Sequence, residues 1–101
     1  MTTITIRTVG NPALYQSLQD SIASETRHRT VSGALRRLEA IYRTSKIWTE
    51  TMGNWGGVEI EIDGEPLDGF DVGVVEQHVA DYLGDPQDVH ARRYAAEMLT
   101  P

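Results

Sequence analysis

The stretch Val58-Glu59-Ile60-Glu61-Ile62-Asp63-Gly64 leaves this chain fewer choices than any other. Strict alternation of apolar and charged residues suits a strand with one buried and one wet face. It predicts Val58, Ile60 and Ile62 inside and Glu59 and Glu61 in water. Asp63-Gly64 is a tight-hairpin signal. Glu65-Pro66-Leu67 reads as a short edge return, because proline cannot donate to a central ladder.

A strand needs neighbours, and residues 3–9, alternating and rich in Thr and Ile, supply another. The rest of the chain reads mainly as helix. Asn11 and Pro12 form an N-cap and first helical position, followed by a stripe of Leu14, Leu18 and Ile22. That helix is expected to dissolve at Ser24-Glu25-Thr26. Thr30 or Ser32 caps a second helix with the stripe Val31, Ala34, Leu38 and Ile41, widened by Leu35 and Tyr42. Glu39 and Arg43 form an i,i+4 pair on it. Periodicity leaves residues 45–52 open between helix and strand; the β-branched and aromatic run Ile47-Trp48-Thr49 favours a helix ending near Thr44 and a strand after it. Gly53-Asn54-Trp55-Gly56-Gly57 reads as a turn. A third helix is expected over 72–83, capped by Asp71 and ended by Gly84 as a left-handed cap. Asp85 and Pro86 then open a fourth, with Val89, Ala95, Ala96 and Leu99 inward. Three or four strands and about four helices, segregated rather than alternating, make an α+β fold with a small antiparallel sheet.

Its 101 residues, 40% of them apolar, predict one domain with one core. There is no cysteine, which removes disulfides, thiolate nucleophiles and Cys-ligated metals. Met1-Thr2-Thr3-Ile4 lacks the pattern of a secretory signal, and no apolar run approaches the roughly 20 residues a bilayer requires. A cytoplasmic location is the expectation.

Charge is divided unevenly. Residues 1–52 hold seven basic and four acidic side chains, net +3; residues 53–101 hold two basic and eleven acidic, net −9. Such polarity either pairs the two halves internally or marks an interaction surface. All basic residues but Lys46 are arginine. Arg36, Arg37 and Arg43 lie off the apolar stripe of the second helix, with Arg27 and Arg29 before it. They form a possible face for nucleic-acid phosphates or for a second copy of the chain. An ordinary solvated face is the simpler reading, and the acidic net charge weakens attraction to DNA.

Sites for chemistry are absent from the pattern. His28 sits among arginines in an expected loop, and His78 and His90 lack the spacing that puts two metal ligands on one helical face. Asp63, Glu65, Asp68 and Asp71 depart from a calcium-loop spacing and are explained as turn and cap residues. No nucleophile elbow, phosphate loop or dinucleotide fingerprint occurs. No catalytic residue, cofactor or metal is therefore assigned. Of the two tryptophans, Trp48 suits the core. Trp55, beside Asn54 in the glycine-rich stretch, suits an exposed anchor.

The opening Met1-Thr2-Thr3, Asn11-Pro12 after a first strand, and Gly56-Gly57-Val58-Glu59 entering an alternating strand resemble one group of small phage-encoded anti-CRISPR proteins. The resemblance covers those patches alone and transfers no functional residue; it implies a small inhibitor from a phage or mobile element. The functional expectation is a non-enzymatic, acidic inhibitor or regulator that occupies the basic, nucleic-acid-binding surface of a protein partner. Trp55, Asn54, Glu59, Glu61, Asp63 and Glu65 would make the contact. The alternatives are a nucleic-acid-associated regulator using the arginine face, or a small enzyme whose site forms in a dimer.

Overall fold

The computed structural model describes residues 2–10, 22–43 and 55–101. In chain order they form β1 (Ile4–Gly10), β2 (Ile22–His28), α1 (Val31–Arg43), β3 (Trp55–Ile62), β4 (Glu65–Pro66), α2 (Gly69–Gly84) and α3 (Val89–Leu99). The strands make one antiparallel sheet in the order β2-β1-β3-β4. The class is α+β, with three helices among the described residues. The helix expected from Asn11 and the strand expected after Thr44 fall on residues 11–21 and 44–54, outside those described.

Pairing Ile6 with Ile60 and Ile4 with Ile62 aligns the apolar sets of β1 and β3 on one face. There Ile4, Ile6, Val58 and Ile60 are buried with Ala34, Leu35, Leu38 and Ile41 of α1, Val72, Val75, Val79 and Tyr82 of α2, and Ala91, Ala95 and Leu99 of α3. The alternation at residues 58–62 is thus realised, with two adjustments: Ile62, at the strand end, is half-buried, and so are Glu59 and Glu61 on the outward face. On that face the Arg7 side chain lies against Glu61. The hairpin forms as expected: Asp63 and Gly64 both take positive φ, 53° and 82°.

Several boundaries move. Residues 24–26 lie inside β2 instead of ending a helix, and Ile22 pairs with Val9 instead of completing a helical stripe. β2 turns Ser24, Thr26 and His28 toward the helices, so its inward set is polar and the period-two signal is invisible to hydrophobicity. His28 accordingly ends a strand rather than lying in a loop. Trp55, Gly56 and Gly57 open β3 instead of forming a turn; the register there steps from Val9 opposite Gly57 to Gly10 opposite Trp55. Gly57 carries φ 126°, which side-chain-bearing residues avoid, so the bulge explains the glycine.

Thr30 caps α1 through its hydroxyl, which accepts from the Gly33 amide at 3.0 Å. α2 begins earlier than expected. Its cap is Asp68, whose carboxylate accepts from the Asp71 amide at 2.8 Å, and Asp71 falls in the first turn. Gly84 stays within the helix, and the cap is the extended Asp85. Asp85 and Pro86 open no helix: Asp85 accepts from the Gln87 amide at 3.1 Å in a turn, and Asp88 caps α3 by accepting from Ala91. Ala91, Ala95 and Leu99 form the inward stripe at four-residue spacing, and Val89, two residues or about 200° before Ala91, points to solvent. Glu39 turns from Arg43 to the far side: it accepts from the Tyr82 hydroxyl at 2.7 Å and lies 4.0 Å from Arg92. No helix among the described residues is long and apolar enough to cross a membrane.

Candidate functional site

The outward face of the sheet is organised around one cation. Arg7, at the centre of β1, stands opposite Glu25 on β2 and Glu59 on β3. Its Nε donates to Glu25 at 2.6 Å, and its two Nη atoms both donate to Glu61, two residues along β3 from Glu59. Two carboxylates on one guanidinium favour its charged form and raise its pKa above the ordinary arginine value. Charge from the acidic half is therefore partly neutralised by the basic half at this point. Glu61 is a structural residue here, while Glu59 stands beside the network.

Arg7→Met is expected to lower stability by about 1–2 kcal/mol, a partly buried network being discounted for its exposure. The two glutamates then lose the cation they share, and among the described residues only Glu25 keeps another, Arg27 at 3.6 Å. Glu61→Gln should destabilise the native chain yet stabilise the Arg7→Met chain. Urea unfolding of the four proteins in the cycle reads that reversal of sign, and additive losses would show that the pairing carries no energy.

The arginine face divides. Arg36 and Arg43 are exposed. Arg37 turns under β2, where Nη2 donates to Ser24 Oγ at 3.1 Å and Ser24 in turn bonds Thr8 at 2.6 Å. The Arg37 Nε is buried without a hydrogen-bond partner. His28 lies beside it, bonded to Thr26 at 2.9 Å. Burial first, and the Arg37 charge second, push the His28 pKa below its ordinary value.

The acidic residues Asp63 and Glu65 are exposed at the β3–β4 turn, and the Asp63 carboxylate accepts from the Thr3 amide at 2.8 Å. Asn54 and the Trp55 side chain lie outside the described residues. Close by in the chain is a feature that pattern reading missed: Phe70, in the first turn of α2, is 80% exposed. Two residues before Val72, it projects about 200° round the helix from the buried stripe, given 3.6 residues per turn. The signal existed in the sequence but required α2 to start at Gly69. Carboxylates are its neighbours in sequence: Asp68 and Asp71 on either side, Asp63 and Glu65 shortly before. Tyr94, 52% exposed, is a second surface aromatic; its ring stacks on His78 at 5.4 Å between centroids and bridges α2 and α3.

No family model, curated protein or solved structure matches this chain. Its site must therefore be read from its own geometry. Among the described residues no group of three or more His, Asp or Glu could hold a metal ion.

A cleft of about 400 Å³ runs beside α2, lined by Tyr42, Gly73, Glu76, Ala80 and Leu83 among others. Burial raises the Glu76 pKa, and the nearby Tyr42 hydroxyl opposes that shift. A carboxyl whose folded pKa exceeds its unfolded value binds more protons when folded. Stability therefore falls as pH rises from the ordinary value of 4.5 through the raised one. Glu76→Gln keeps an acceptor for Tyr42 and abolishes that cost. Its melting temperature should exceed that of the parent at neutral pH, with the gap closing below the ordinary carboxylate range. A gap of equal size at both pH values would mean that Glu76 is effectively solvated.

Proposed function

We propose that this domain is a non-catalytic protein-binding module: an acidic inhibitor or regulator, acting in the cytoplasm, that occupies the basic, nucleic-acid-binding surface of a partner protein. The observation that carries this reading is Phe70. A large apolar side chain held in water on a helix, in a stretch of sequence that also carries Asp63, Glu65, Asp68 and Asp71, has the makeup of an interface anchor with a charged rim. The carboxylates select a basic partner and speed its approach; the ring supplies the desolvated contact that carboxylates alone lack. Phe70 stands as an anchor beside Trp55, whose side chain lies outside the described residues, and Asp63 and Glu65 keep the role assigned to them. The small phage inhibitors that the chain resembles in short patches fit the same description.

The test is capture from a lysate of the source cells on the immobilised domain, run beside a Phe70→Asp variant. The expected result is a basic protein retained by the parent, released by salt and absent from the variant lane. The variant should stay folded, since an exposed position changes stability by about 0.5 kcal/mol or less. Equal retention on both columns would remove Phe70 from the interface. A gel shift of labelled DNA or RNA, abolished by Arg36→Glu with Arg43→Glu, would transfer the function to the arginine face.

A further inference from the structure

The two edges of the sheet are built differently. β4 is two residues long and contains Pro66, a combination that blocks further pairing. β2 is seven residues long and contains neither proline nor lysine. Among the described residues no strand lies along its outer side.

Register shows which backbone groups that side presents. The Thr3 carbonyl accepts from the Asp63 amide at 2.8 Å, so Thr3 directs its polar groups toward β3. Direction alternates along a strand, so Thr5 and Arg7 also face β3, and Ile4, Ile6 and Thr8 face β2. Their partners His28, Thr26 and Ser24 direct their own amides and carbonyls inward. Glu25 and Arg27, between them, present theirs outward.

We propose that this edge pairs with the same edge of a second copy of the chain, antiparallel about a twofold axis at Thr26. That axis sets Glu25 opposite Arg27 of the second copy, and Arg27 opposite its Glu25. These are the residues with outward amides and carbonyls, so they form the two hydrogen-bonded pairs, and Thr26 meets its copy in the non-hydrogen-bonded pair between them. The same register opposes unlike charges twice on the outward face. The neighbouring twofold registers set Glu25 against Glu25 or Arg27 against Arg27, so side-chain charge selects the first. Arg27 is available for the exchange: its side chain is 70% exposed, and its contact with Glu25 of its own chain is 3.6 Å. The product is a continuous eight-stranded sheet, four strands from each copy. β2 and β4 are opposite edges, so the dimer leaves both copies of Phe70 free. It stands or falls independently of the partner-binding reading.

Light scattering over a concentration series tests this. The parent should move from one chain mass to two as concentration rises. Arg27→Pro deletes an outward amide that bonds nothing among the described residues, at an edge position where proline is tolerated. It should remain monomeric throughout with an unchanged circular dichroism spectrum. Arg27→Glu opposes like charges at both pairs and should weaken dimerisation about tenfold or more; it decides the matter should the proline variant unfold. Arg36→Glu, on exposed α1 surface, should dimerise as the parent does. A parent that stays monomeric at its highest soluble concentration overturns the proposal. So does a dimer that survives both Arg27 changes, or one lost only with Arg36→Glu, which would place the contact on α1.

Discussion

Leu38→Ala is expected to lower the stability of this domain by about 2–5 kcal/mol, the range for truncating a buried leucine. Leu38 is 0% exposed, at the middle of the inward stripe of α1. α1 touches β1, β2, α2 and α3, so the cavity would open where sheet and helices meet. The lost transfer energy and the unfilled volume add, because a site walled by a sheet and two helices collapses poorly. Domains of this kind hold about 5–15 kcal/mol in all, so the loss approaches the whole margin in the lower part of that range. Each kcal/mol moves the melting point by about 4–8 °C at this chain length, so the change is large in a thermal scan. Leu38→Met, which keeps the volume, should cost less than about 1.5 kcal/mol. If the alanine variant loses no more than the methionine variant, α1 is not packed on the sheet as described.

Phe70→Ala should mainly accelerate dissociation from the partner. A hot-spot aromatic contributes about 2 kcal/mol or more, which is close to a thirtyfold shorter lifetime. The charged rim should behave oppositely. Asp63→Asn combined with Glu65→Gln should slow association and flatten its salt dependence while leaving the off-rate nearly unchanged, because exposed charges act chiefly on encounter. Asn keeps the positive φ and the acceptor that position 63 requires, so the hairpin survives. Glu61 is unsuitable for this purpose, since its removal disturbs Arg7. Surface plasmon resonance at several salt concentrations separates the two rates. If Phe70→Ala changes only the on-rate, the ring steers rather than anchors and the assignment of roles is wrong.

What the sequence determined by itself was local. Period two at residues 58–62, the Asp-Gly turn and the stripe of α1 each hold one physical requirement within a few neighbouring residues. A face must be buried, a φ must be positive, a cap must accept a hydrogen bond. These requirements were met where the residues announced them, and together they set the α+β class. Four aspartates, Asp68 against Asp71 and Asp85 against Asp88, show the limit. Each can cap a helix, and the choice among candidates a turn apart depends on which stripe meets the core. Phe70 became a helical surface residue only through that choice.

Tertiary structure decided the rest. β2 carries polar residues on its inward side, so only pairing with β1 makes it a strand; its own composition contains no periodic signal. The partition of charge was visible as a count, yet the count could not say that Arg7 of the basic half would sit between Glu25 and Glu61, or that Glu39 would turn to Tyr82 and Arg92. Those contacts join residues as far as 54 positions apart. Charge acts through distance in space, and that distance is set by the packing of the sheet and helices.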